Sequence, residues 1–170
     1  MKISQRAASL EDIEWLEPFY ESIMRPYYVE LKLEWDRTKF RESFDLVITK
    51  IIQADSIDIG MLKVEEREDC IYICDIQIDS GYRGKGIGTK LVKTVIQSGN
   101  LASKPIRLLV LKGNPAKELY LRLGFKEIQI LANCHIPHSA LQLLRHILVT
   151  KTRQFDNTTD RNSLIAVTQN

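Results

Sequence analysis

Apolar positions along the chain recur at two spacings, and the switches between them mark out the elements. Lys2–Ala7 alternates weakly, as a short opening strand would. Ser9 then stands as a helix N-cap with Asp12 three residues on, and Ile13, Leu16, Phe19, Tyr20 and Ile23 follow at helical spacing. Pro18 is expected to kink or interrupt that helix, since it has no N–H for the ladder. Arg25–Trp35 is rich in aromatics and contains Pro26, which reads as a loop or a broken helix. Asp36 caps a second helix through Phe40, Phe44, Val47 and Ile48. A meander of strands comes next, over Ile51–Ala54, Ile59–Glu65 and Cys70–Ile78, with polar turns at Asp55–Asp58 and Glu66–Asp69.

The second half has a different rhythm. Ile87, Leu91, Val92, Val95 and Ile96 define an amphipathic helix that Gly99-Asn100 is expected to stop. Ile106–Leu111 is a nearly continuous apolar run, the mark of a strand buried on both faces. Asn114 caps the next helix, with Pro115 in its first turn, where a missing N–H costs nothing. Leu119 and Leu123 bury that helix, Gly124 ends it, and Phe125–Leu131 resumes as a strand. No repeat or low-complexity linker divides the chain.

Composition narrows the classes. At 170 residues the chain can bury the core of one domain without disulfide or metal staples. Its net charge is +2, with basic and acidic residues interleaved, so the concentrated basic stripe of a nucleic-acid binder is missing. No long uncharged apolar run stands out as a signal peptide or membrane span. Cys70, Cys74 and Cys134 cannot all pair with one another, which fits a reduced, cytoplasmic setting. Neither these cysteines nor His135 and His138 show the ligand spacing of a zinc site, and no metal is expected.

The chemistry concentrates in Arg83-Gly84-Lys85-Gly86-Ile87-Gly88, between a strand and a helix start. Three glycines at alternate positions allow positive φ and close approach of backbone to an anion. The N–H groups of the first helical turn, aided by the helix dipole and by Arg83 and Lys85, make a cradle for a phosphate or pyrophosphate. A Walker loop would need Ser or Thr after Gly84-Lys85, where Gly86 stands. A dinucleotide fingerprint would need Gly-x-Gly-x-x-Gly after the first strand of a βαβ unit, and both spacing and position differ.

Ile76 through Gly88 resembles the acetyl-coenzyme A motif of the GCN5-related N-acetyltransferases (GNAT), Arg/Gln-x-x-Gly-x-Gly/Ala, with Arg83, Gly86 and Gly88 at its fixed positions. Asn114 through Phe125 resembles the same family's downstream segment, Asn-x-x-Ala/Lys…Leu-Tyr…Leu-Gly-Phe, with Asn114, Lys117, Leu119-Tyr120 and Leu123-Gly124-Phe125 matching. The resemblance covers about residues 2–131. It implies an α/β (α+β) fold with a mixed, mostly antiparallel central sheet flanked by helices. It further implies an acetyl-coenzyme A-dependent N-acetyltransferase whose acceptor is a small-molecule or peptide amine, attacked directly in a ternary complex. Acetyl-coenzyme A would be the acyl-donor cosubstrate. A catalytically silent cofactor-binding regulatory or scaffold domain is the alternative.

Carried over residue by residue, the main chain of Ile76, Gln77 and Ile78 is expected to pair with pantetheine, one N–H polarising the thioester carbonyl. Backbone N–H groups from Arg83, Gly84, Lys85, Gly86, Ile87 and Gly88 would take the pyrophosphate. Tyr120 matches the tyrosine that commonly protonates the departing sulfur; its other reading is a half-buried core residue beside Leu119. Asn114 would contact the cofactor arm, cap its helix, or do both. Asp75, on the cleft-forming strand with Gln77 on the same face, is the candidate general base, against a purely structural strand carboxylate. Tyr27, Tyr28 and Trp35, with Leu31 and Leu33 between them, would border the acceptor, or else pack against the sheet; Glu30 and Glu34 would attract a cationic amine or stand solvated.

Past Leu131 the chain departs from the family's pattern. Ala140, Leu141, Leu144, Ile147 and Leu148 read as a helix where a closing strand is usual, making residues 132–170 an atypical helical C-terminal extension. Ser163–Thr168 has strand character and is a candidate displaced last strand. That extension is expected to pack on the 1–131 core or on a partner subunit, in which case the chain is a homodimer.

Overall fold

A computed structural model describes residues 1–30, 34–111, 113–128 and 164–169. The chain opens with β1 (Ile3–Ala7), a 3-10 turn at Leu10–Asp12, and α1 (Ile13–Glu30). Ser9 begins that turn as expected, its backbone N–H donating to the Asp12 carboxylate at 2.8 Å. Contrary to the sequence reading, neither Pro18 nor Pro26 breaks α1, and Arg25–Glu30 is helix rather than loop. Both prolines are exposed, and the carbonyls they leave unpaired belong to Glu14 and Ser22, which are exposed too. On the opposite side Leu16, Tyr20, Met24 and Tyr28 form one buried stripe at four-residue spacing, and that burial carries the helix through.

Asp36 accepts from the Lys39 N–H at 3.0 Å and starts α2 (Arg37–Glu42). This helix is shorter than its apolar spacing predicted: Val47 is 85% exposed and Phe44 packs from beyond the helix end. What ties α2 down is charge. Glu17, 1% exposed beneath it, is paired with both Arg37 and Arg41.

The meander forms β2 (Thr49–Ala54), β3 (Ile57–Glu66) and β4 (Ile71–Ile78). Next come α3 (Ile87–Ala102), β5 (Ile106–Leu111), α4 (Ala116–Arg122), β6 (Lys126–Ile128) and β7 (Leu164–Gln169). Gly99 does not stop α3, which runs on to Ala102 and closes on Ser103 in the left-handed region. Gly99 is needed for closeness: a Cβ there would lie 2.5 Å from Ile106 Cδ1 and 2.8 Å from the Lys104 carbonyl.

The sheet runs β1-β2-β3-β4-β5-β7-β6, antiparallel except for β4 and β5. The Ser163–Thr168 stretch thus supplies the displaced last strand, inserted between β5 and β6 and antiparallel to both. Ile52, Leu62, Ile73, Leu108 and Val110 bury one sheet face together with α3 and α4. Ile51, Met61 and Leu111 bury the other with the α1 stripe. The expected helix over 140–148, the residues Cys134, His135 and His138, and the strand's continuation beyond Ile128 lie outside the described residues.

Candidate active site

Two irregularities in β4 open the site. Against β3, Lys63 pairs with Asp75 and Val64 with Ile73, so Cys74 is an extra, bulged residue. Against β5, the parallel pairing covers only Ile71–Ile73 with Ile106–Leu108, after which the strands part. Cys74–Ile78 and Leu109–Leu111 therefore face each other across a gap, the mouth of a cleft of about 570 Å³ that reaches from the Arg83–Gly88 loop to α1. Parted strands leave main-chain donors and acceptors of Ile76, Gln77 and Ile78 on the gap side without a β5 partner.

At one end of the cleft lies the cradle. Gly84 and Gly86 have φ of +73° and +79°, and a Cβ on either would meet nothing within 4 Å. Their role is conformational rather than one of clearance. Gly88 is different: its missing side chain admits Leu119 Cδ2 at 3.3 Å from the Cβ position. Gly86 is the N-cap of α3 and no side chain caps the helix, so the first-turn N–H groups point outward at its positive pole. Arg83 Nε donates to the Ile78 carbonyl at 2.7 Å, anchoring the loop to the end of β4. Lys85 stands exposed with Nζ 5.1 Å from the Tyr82 ring centroid. These features fit a diphosphate.

In the middle sit the groups able to move protons. Tyr120, 4% exposed, lines the cleft with its ring edge-on to Phe125 at 5.6 Å. Burial, then the nearby Asp75, raise its pKa, so the phenol stays protonated at neutral pH. Asn114 also lines the cleft, while its Oδ1 accepts from the Ala116 N–H at 2.9 Å, so it caps α4 from a position beside the gap.

Under α1 a polar cluster faces the same space. Asp75 accepts from Gln77 Nε2 at 2.9 Å, with the Tyr20 phenol beside it. Burial raises the Asp75 pKa; Lys63, Tyr20 and Gln77 oppose that rise. Gln77 Nε2 also lies 3.7 Å from the Met24 sulfur. Of the three aromatics expected to border an acceptor, Tyr27 lines the cleft. Tyr28 and Trp35 meet edge-on at 5.8 Å, and Trp35 packs on Tyr20 and Phe40 at 5.9 and 5.4 Å. They brace the wall from behind rather than line it. Burial, helped by Asp75 and Asp36, pushes the Tyr28 phenol up to about 12. Glu30 and Glu34 are exposed, and Leu31 and Leu33 lie outside the described residues.

Tyr20, Met24 and Lys63 escaped the sequence reading as members of this site. Tyr20 carries the same helical spacing as any core residue, and Met24 meets Gln77 from 53 positions away. No local pattern encodes such a meeting. Among the described residues no group of three or more His, Cys, Asp or Glu side chains is placed to hold a metal ion. Among them, too, no helix is long and apolar enough to cross a membrane.

Bulge, parted strands and an uncapped helix start define a mixed α/β protein whose cleft is edged by main chain left without a strand partner. Residues 47–127 match the family model of the acetyltransferase (GNAT) domain. No curated protein matches the chain in sequence. Its fold is shared with Naa50 of Arabidopsis thaliana in complex with the bisubstrate analogue CoA-Ac-MVNAL, at TM-score 0.61 and 17% identity over 100% of this chain and 99% of that one. A GNAT-family acetyltransferase of Staphylococcus aureus Mu50 aligns at TM-score 0.62 and 18% identity, over 99% of both chains. N-acetylglutamate synthase from Neisseria gonorrhoeae, complexed with coenzyme A and N-acetyl-glutamate, gives 0.60 and 17%, over 99% of this chain but 35% of that one. At such identities the likeness is one of fold.

Proposed function

We propose that this protein transfers the acetyl group of acetyl-coenzyme A to a primary amine by direct attack in a ternary complex. The observation that carries this reading is the continuity of one cleft from an uncapped helix start, through parted strands, to a carboxylate and a phenol. The GNAT domain match, and the coenzyme A or analogue bound in two fold relatives, support the choice of donor.

In this reading the N–H groups at Gly84–Gly88 bind the pyrophosphate, and the free backbone of Ile76–Ile78 pairs with the pantetheine arm. An N–H in that stretch donates to the thioester oxygen as it gains charge. Asp75, directly or through one water, takes the proton that the amine must lose. Its raised pKa brings it closer to the range where a base works at neutral pH. The amine nitrogen bonds to the carbonyl carbon, the carbon–sulfur bond breaks, and Tyr120 hands its phenolic proton to the departing thiolate. Solvent then reprotonates Tyr120, and Asp75 releases its proton. Asn114 holds the start of α4, and so Tyr120, against the gap.

Calorimetry with coenzyme A and turnover with acetyl-coenzyme A across a panel of amines test the proposal together. Tight binding with acetylation of at least one amine is expected. Binding without transfer to any amine would leave a scaffold domain in place of an enzyme.

A further inference from the structure

The acceptor end of the cleft has a one-sided polarity. Its walls come from α1 (Tyr20, Ile23, Met24, Tyr27) and from Leu109 and Leu111 on β5. Across from them Asp75 is the one carboxylate among the described lining residues. The described cations on the lining are Arg83 and Arg122, and both belong to the cradle and α4 rather than to the α1 wall. Asp75 already accepts from Gln77 Nε2, and a carboxylate has about four lone-pair sites. Its remaining capacity suits the N–H groups of an amine.

Resting on the acetyl-transfer reading, we infer that the acceptor is a primary amine with an apolar or aromatic arm and no carboxylate near the amine. A negative group arriving with the substrate would lie beside Asp75, while the cation next to Asp75, Lys63 on β3, stands off the lining with its Nζ donating to the Ser43 carbonyl, and the facing wall is Ile23, Met24 and Leu109. An apolar arm, by contrast, covers Ile23, Met24 and Tyr27 and removes their surface from water. Both an arylalkylamine and the N-terminus of a peptide beginning with an apolar residue meet this description, because in the peptide an uncharged amide replaces the carboxylate.

The test uses the full-length protein and acceptors that share one arm: phenethylamine, phenylalanine amide, a short peptide beginning with phenylalanine, and phenylalanine itself. Coenzyme A affinity is measured in parallel. The three uncharged-neighbour acceptors are expected to exceed phenylalanine in kcat/KM by about 30-fold or more. Comparing phenethylamine with the peptide separates a small-amine source from a chain terminus. Ile23→Arg, on the half-exposed part of the wall, should narrow the gap between phenylalanine and phenethylamine by about tenfold, with cofactor affinity unchanged. Equal or better use of phenylalanine would overturn the inference while leaving acetyl transfer standing. So would an unchanged ratio in Ile23→Arg, or cofactor binding with transfer to none of the four. Failure to bind coenzyme A at all would sink the acetyl-transfer reading, and this inference with it.

Discussion

The two ends of the cleft are built on opposite principles. The cradle works through main chain: Gly84 and Gly86 in the left-handed region, an uncapped helix start, and Arg83 folded back onto Ile78. Six consecutive residues do nearly all of it, so the stretch reads directly from the sequence. The α1 end works through side chains that meet only once the sheet has formed. Tyr20, Lys63 and Asp75 come from three elements, and a bulge at Cys74 decides which way Asp75 faces. A backbone site is conserved in geometry by few residue types; a side-chain site can be rewritten one residue at a time.

The hardest way to break the cradle is Gly86→Glu, which forces a side chain to φ +79° and puts a negative charge where phosphate would sit. Loss of coenzyme A affinity by about 1,000-fold or more is expected in calorimetry. Because a Cβ at Gly86 meets nothing within 4 Å, Gly86→Ala should show only the backbone strain of about 1 kcal/mol and retain binding. If alanine is as damaging as glutamate, clearance rather than conformation governs the position.

At the other end, Asp75→Asn should lower kcat/KM by about 100-fold and remove the acidic limb of its pH profile, with cofactor affinity intact. The limb follows from the sign of the shift: with Asp75 as the proposed base, activity rises as pH climbs through the raised Asp75 pKa. Stability runs the other way. The folded chain holds this proton to higher pH than the unfolded chain, so stability falls as pH rises from the ordinary carboxylate range through the raised value. Asp75→Asn should therefore leave Tm at neutral pH unchanged or higher. A lower Tm together with an unaltered pH profile would make Asp75 a structural residue.

Tyr120→Phe bridges the two ends. It keeps the edge-on packing with Phe125 and removes only the hydroxyl, so kcat should fall about tenfold while the KM for cofactor moves little. A silent mutant would return Tyr120 to the core. The smallest effect is expected from Glu17→Gln, which loosens α2 and the Trp35–Phe40 brace behind Tyr20. Arg37 and Arg41 are themselves well exposed, so solvent screening keeps the loss small. The KM for amine should rise a few-fold with no change in cofactor affinity, a split that general unfolding would not produce.

Most strands and helices were legible because their apolar spacing matched the layer they bury. The misreadings share a cause. Pro18 and Pro26 looked like breaks, yet they fall on the wet side of α1, where a lost hydrogen bond is made up by water. Gly99 looked like a stop but serves contact with Ile106. Phe44 and Val47 extended the apolar period of α2 without sharing a buried face. Local pattern names the residues that can be buried; only the assembled sheet says which ones are. The cleft's α1 wall was hidden for the same reason, since Tyr20 and Met24 are indistinguishable in sequence from packing residues.

The strand order carries a consequence for how the molecule comes into being. β7 lies between two strands that precede it, so until it arrives the edges of β5 and β6 that it pairs with have no strand to cover them. Those edges offer unpaired amides to any neighbouring polypeptide. The ribosome must thus deliver Leu164–Gln169 before the sheet can seal, and a transcript cut short ahead of that stretch leaves a sticky product.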